Sequence, residues 1–266
     1  MLGMGFGAIE DAAIPVAVFE LDAGLSASYG GSGQTWANIV TAPADGSGQT
    51  AYDFYRGATN GSEGSDPTFN GSAGANSANE FWSFDGGDYF TLAGSNTTFL
   101  NSLHKENAAF TWYGLLRTPT SLSGQENLFG TDAQSSSNIG MVINSSAGSL
   151  AFGVGNGSGA FSALSSGGFI AAATNYLIAV SYDEATGAGL FYRQGAAGKA
   201  TSAISGSYVS PSASAATYTA QLFAGGNAAN PATPGMRGWR TGMFNRALTE
   251  AQLDALFERY KSKLGL

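Results

Sequence analysis

The sequence predicts an antiparallel β-sandwich of two sheets, closed by one helix at the C-terminal end. Three observations carry this. Short apolar and aromatic runs recur at a spacing of about 8–15 residues, with Gly, Asn or Ser between them. No helix-length pattern separates the runs, which disfavours a parallel sheet with crossover helices. Only MFNRALTEAQLDALFERY, residues 243–260, carries a clear helical period.

Taken in order, the chain opens on MLGMGFGAIEDAAIPVAVF, apolar and spaced by glycine. We read residues 1–17 as an N-terminal docking arm, with Leu2, Met4, Phe6 and Ile9 as its assembly contacts, and 18–266 as one domain; the alternative is an extra strand within the same chain. Residues 41–79 are rich in Gly, Ser and Asn but carry Tyr52, Phe54, Tyr55 and Phe69, so they predict an ordered excursion rather than a linker. FWSFDGGDYFTL (81–92) places two aromatic runs around Gly86 and Gly87 and predicts a hairpin. AAFTWYGLLR (108–117), NLFGT, IGMVIN, SLAFGVG, YLIAVSYD, AGLFYRQ, KATSAIS and AQLFAGG follow as strands, and MRGWRTGMFNRAL (236–248) as the last one or two. Thr249 and Gln252 then form a capping-box pair. Leu253, Leu256, Phe257, Tyr260 and Leu264 make one apolar stripe, which must lie on the sandwich.

Composition bounds the function. Aromatic content of 17 Phe, 11 Tyr and 4 Trp within 266 residues is enough for a large core. Only 11% of residues are charged, against about 25% in average domains, and the net charge is −8. With no basic cluster beyond Arg237 and Arg240, nucleic acid is a poor partner. Cysteine is absent, which excludes disulfides and thiolate metal sites. Residues 133–182 hold no charge at all, yet Gly, Ser and Asn interrupt them too often for a membrane span. The N-terminal stretch lacks a basic region ahead of an apolar core, so a soluble protein made in a cytoplasm is expected.

GMRGWRTGMFNRALTEAQLDALFERY resembles the C-terminal signature of laminin-G-like, or concanavalin A-like, jelly-roll domains. Gly238, Met243, Phe244, Asn245, Arg246, Ala247, Leu248, Thr249 and Gln252 fit it. FWSFDGGDYFTL, AAFTWYGLLRTP and YLIAVSYD with GLFYRQGA are similar to the family's middle and late strands. FELDAGLSASYGGSGQTWANIV resembles the lead-in of such domains in tailed-phage virion proteins, through Asp22, Ser28, Tyr29, Gly33, Thr35, Trp36, Asn38 and Ile39. The resemblance spans roughly 18–266. It implies an all-β jelly roll and a structural or adhesion protein at the virion surface: capsid decoration, head fibre, spike or tail. Its partners would be other virion proteins, further copies of itself (a trimer, for instance) and host glycans. The alternatives are a soluble lectin-like module and a glycan hydrolase.

Candidate chemistry is sparse. Glycoside hydrolysis uses two carboxylates across a groove, and no Glu-x-Asp-x-x-Glu run exists here. Asp85 and Asp88 flank a turn that hairpin geometry explains. The single histidine, His104, has no nucleophile elbow with it and reads as a satisfied surface residue. Calcium is the candidate cofactor, because the fold class often holds it on carboxylates; Asp85, Asp88 and Asp132 are the candidate ligands. For glycans, Trp36, Tyr52, Tyr55, Trp82 and Trp239 are the aromatic candidates beside Asn60, Asn76 or Asn227, with Tyr52, Tyr55 and Trp82 the chosen set. Of the Asn-x-Ser/Thr triplets at Asn60, Asn70, Asn96, Asn144 and Asn156, three are Asn-Gly and predict tight turns.

Overall fold

The computed structural model describes residues 13–133 and 137–266. In chain order the strands are β1 (Phe19–Asp22), β2 (Thr35–Trp36), β3 (Phe54–Arg56), β4 (Thr68–Asn70), β5 (Phe81–Ser83), β6 (Phe90–Leu92), β7 (Ala109–Arg117), β8 (Gln125–Gly130), β9 (Ile139–Ser146), β10 (Ser149–Asn156), β11 (Ala160–Leu164), β12 (Asn175–Asp183), β13 (Ala188–Gly195), β14 (Gly198–Ser205), β15 (Gln221–Leu222) and β16 (Arg237–Phe244), followed by the helix α1 (Glu250–Tyr260). They form two antiparallel sheets. The first runs β14-β13-β12-β7-β16-β5-β4, with β1 also paired to β16; the second runs β11-β10-β9-β8-β15-β6-β3-β2. The all-β sandwich with one C-terminal helix is thus the fold.

Two apolar layers result, because the first sheet is covered on both faces. On β7, Phe110, Trp112 and Leu116 point between the sheets, whereas Tyr113 and Leu115 point outward. β12 alternates likewise, with Tyr176, Ile178, Val180 and Tyr182 inward and Leu177 and Ala179 outward. Strands buried on both faces read as unbroken apolar runs, as YLIAVSY does. The outward layer needs a cover, and α1 supplies it. Leu253, Leu256 and Phe257 are buried against Tyr113, Leu115, Leu177, Ala179 and Tyr192, with Tyr260 partly buried at the edge. The expected capping box starts the helix: Gln252 N–H donates to Thr249 Oγ1 at 3.3 Å, and Thr249 N–H to Gln252 Oε1 at 3.0 Å.

One expectation fails. Residues 81–92 do not form a hairpin: β5 pairs with β4 and β16 in the first sheet, whereas β6 pairs with β3 and β15 in the second. The turn at 85–88 carries the chain from one sheet to the other. Trp82 and Phe90 then meet edge to face across the core, with ring centroids 5.2 Å apart. Two aromatic runs gain more by facing each other between layers than by lying side by side in one ladder. The excursion at 41–79 is ordered as expected, through a 3-10 turn at Gln49–Tyr52 and strands β3 and β4, with Tyr52 and Phe54 buried. Of the expected arm, Ala17 is buried and Ile14 packs on the helix-side layer; Leu2, Met4, Phe6 and Ile9 lie outside the described residues.

Candidate functional site

α1 and the N-terminal segment occupy much of the outer face of the first sheet; the outer face of the second is laid out by its strand register. Opposed residues in an antiparallel ladder share a face. The register therefore lays one row across seven strands: Tyr55, Thr91, Gln221, Gly130, Val142, Gly153 and Ser162. The alternate row, Phe90, Leu222, Phe129, Ile143 and Phe152, fills the core. From β6 to β11 the outward row is mostly small or polar, Val142 excepted, where the inward row is large and apolar.

Over β9, β10 and β11 this face holds a cleft of about 110 Å³. Its lining includes Asp132, Val142, Asn144, Ala151, Gly153 and Ser162. The cleft exists because SLAFGVGN alternates bulky inward residues with Ala151, Gly153 and Gly155 outward, leaving a floor without side-chain bulk. Asn144 sits on that floor only 2% exposed, with its side-chain amide among the groups that line the cleft. An amide so placed has two donors and an acceptor to offer. Lining a cleft, those groups are placed to meet a polar ligand.

Beside the cleft, the segments on either side of β15 bind the edge of this region. Thr217 and Tyr218 N–H groups donate to Ile139 O and Thr131 O, and Gly226 N–H to Asp132 O at 2.9 Å. The approach is so close that a Cβ on Gly130 would stand 2.9 Å from Gly225 Cα. The segment after β15 holds Phe223, Asn227, Ala228 and Asn230 in the left-handed region, with φ between 44° and 61°.

The structure separates the residues the sequence singled out. Tyr52 and Trp82 are fully buried and present no face to a ligand. Tyr52 donates its hydroxyl to Asp45 Oδ2 at 2.5 Å, and Trp82 packs among Tyr29, Trp36, Phe69 and Phe90. Trp36 and Trp239 are buried as well. Tyr55, half-buried, does share the outer face with the cleft, but four strand spacings away from Val142, or about 19 Å. Asp85 and Asp88 share the sheet-to-sheet turn, where Asp88 Oδ2 accepts from Asp85 N–H at 2.8 Å; Asp132 instead lines the cleft. Among the described residues no group of three or more His, Asp or Glu is placed to hold a metal ion. His104 is buried rather than at the surface: Nε2 lies 2.9 Å from Ser214 O, and burial pushes its pKa down. Asn70 and Asn156 end strands at the expected turns, with Gly71 and Gly157 at positive φ. Asn144 was visible only as one more triplet. The signal that could have found its cleft is the alternation of Gly and Ala with bulky residues at 150–155.

No protein-family model and no curated protein matches the chain. Solved structures do resemble it. The binding domain of botulinum neurotoxin DC in complex with SialylT aligns with a TM-score of 0.54 and 10% identity, over 92% of this chain and 52% of that one. The CBM40 domain of the Ruminococcus gnavus IT-sialidase, bound to α2,3-sialyllactose, aligns at 0.49 and 14%, over 68% and 98%. Tailspike protein 2 of the Escherichia coli O157:H7 bacteriophage CAB120 aligns at 0.49 and 16%, over 74% and 26%. At such identities the likeness is one of fold alone: this chain shares the β-sandwich fold of the neurotoxin binding domain.

Proposed function

We propose that this protein is a glycan-binding module that holds its ligand in the cleft over β9, β10 and β11. The carrying observation is Asn144, an amide only 2% exposed on the floor of a preformed cleft whose other outward residues are small. Sugar hydroxyls donate and accept at once, and a side-chain amide answers both. Ser162 adds a hydroxyl, and the flat floor at Gly153 and Ala151 accommodates the face of a pyranose ring. The fold supports this reading, since the neurotoxin binding domain that shares it was solved in complex with SialylT. The cleft's lining includes one carboxylate, Asp132, whereas glycoside hydrolysis uses a pair, so the reading is of binding without turnover.

The test is a glycan array followed by calorimetry on two variants. Asn144→Ala removes the amide from the floor. Gly153→Val fills the floor with a β-branched residue whose Cβ has ordinary contacts, the nearest being Val142 Cγ1 at 3.5 Å. Both variants are expected to fold with unchanged Tm and to lose at least tenfold in affinity. Wild-type affinity in both would remove the cleft from consideration.

For its setting we propose the surface of a tailed-phage particle, as a self-associating adhesion component. The support is the resemblance of the lead-in, Asp22 to Ile39, and of the C-terminal signature to virion jelly rolls. Antibody labelling of purified particles in electron micrographs checks it, and unlabelled particles carrying no trace of the chain by mass spectrometry would refute it.

A further inference from the structure

We infer that the cleft selects uncharged saccharides and turns away carboxylated ones; the inference rests on the glycan-binding reading above. Charge is the observation behind it. Strands β9, β10 and β11 all lie within residues 133–182, a stretch without one charged side chain. To the lining of the cleft the rest of the chain adds Asp132, an acid only 2% exposed. Among the described residues no Lys, Arg or His lines it. Two of the chain's cations, Arg240 and Lys263, are committed on the outer face of the first sheet, paired with Glu20 and Asp22. Lys199 pairs with Glu250 and Asp254 at the helix.

A ligand carboxylate entering this cleft would shed water and meet no counter-ion. Burying a charge without a partner is costly. Hydroxyl and acetamido groups face no such penalty, because Asn144 and Ser162 supply both donors and acceptors. The net charge of −8 extends the same bias to approach, within the ~8 Å reach of electrostatics at physiological salt. The cleft spans only β9, β10 and β11, so the bias acts on the group that enters and not on the whole glycan.

The experiment titrates the intact protein with matched ligands that differ in one ionised carboxyl: a methyl galacturonoside and its methyl ester, and sialyllactose and its methyl ester, with lactose alongside. Each pair is measured at low and at physiological salt. The uncharged member is expected to bind at least tenfold tighter, with the gap narrowing as salt rises. Ser162→Lys places a cation at an exposed position of the lining and is expected to raise relative affinity for the ionised member at least threefold. Equal or tighter binding of the ionised members, lost in Asn144→Ala, would overturn charge selection and leave glycan binding standing. Should no ligand of either charge bind in an Asn144-dependent way, the glycan reading itself fails and takes this inference with it.

Discussion

Asp88 is 2% exposed, and its Oδ1 has no hydrogen-bond partner. Burial, and then the nearby Asp85 and Asp66 charges, push its carboxyl up to about 6. An unfolded aspartate titrates near 4. Between those values the folded protein keeps a proton that the unfolded chain has released, so stability falls as pH rises from about 4 to 6. Asp88→Asn retains an acceptor for the Asp85 N–H and removes the charge. It should raise stability at pH 7 by on the order of 2 kcal/mol and flatten that part of the profile. Urea unfolding at pH 4, 5, 6 and 7 reads this; identical slopes for the two proteins would clear Asp88 of the role. At this scale little of the site was legible beforehand. Trp82 and Tyr55 are both aromatic residues in short strands, yet one is core and the other half-exposed. Which way each points is set by the register of strands distant in sequence, and no local property of the residue encodes it.

Elements were more legible, because their signals are periodic. α1 was announced by its cap and its stripe, and both do what the pattern requires. Thr249→Ala should cost about 1 kcal/mol through the lost cap. Leu256→Ala, fully buried beneath the helix, should cost about 2–5 kcal/mol. Thermal unfolding followed by circular dichroism ranks the two, and a larger loss at Thr249 would show that the helix does not depend on its packed face. The segment at 81–92 shows the limit of such signals. Aromatic runs flanking a Gly-Gly turn are compatible with a hairpin and with an arch between sheets. The choice fell to β16, which pairs with β5 through Arg237 and Gly238 and so claims it for the first sheet.

For the whole molecule, the two ends of the chain are tied by buried charge. Arg240, 4% exposed, places Nη1 2.6 Å from Asp22 Oδ2 and Nη2 2.7 Å from Glu20 Oε2, and its guanidinium lies 4.0 Å from the Tyr260 ring centroid. Lys263 Nζ reaches Asp22 Oδ1 at 2.8 Å. Asp22→Ala would leave buried Lys263 without a carboxylate and Arg240 with Glu20 alone, and removing one partner of a buried pair typically costs ~3–5 kcal/mol. Chemical denaturation should show that loss, while a drop under 1 kcal/mol would mean that water replaces the carboxylate. The sequence alone determined the sandwich, the helix and its cap, and the charge-free stretch that becomes the cleft, because periodicity and composition are local and survive without contacts. Tertiary structure alone decided which aromatics are core, which sheet each short strand joins, and that Asn144 is buried beside open space. Each of those depends on pairing between residues far apart in the chain, and a one-residue change of register would reverse it.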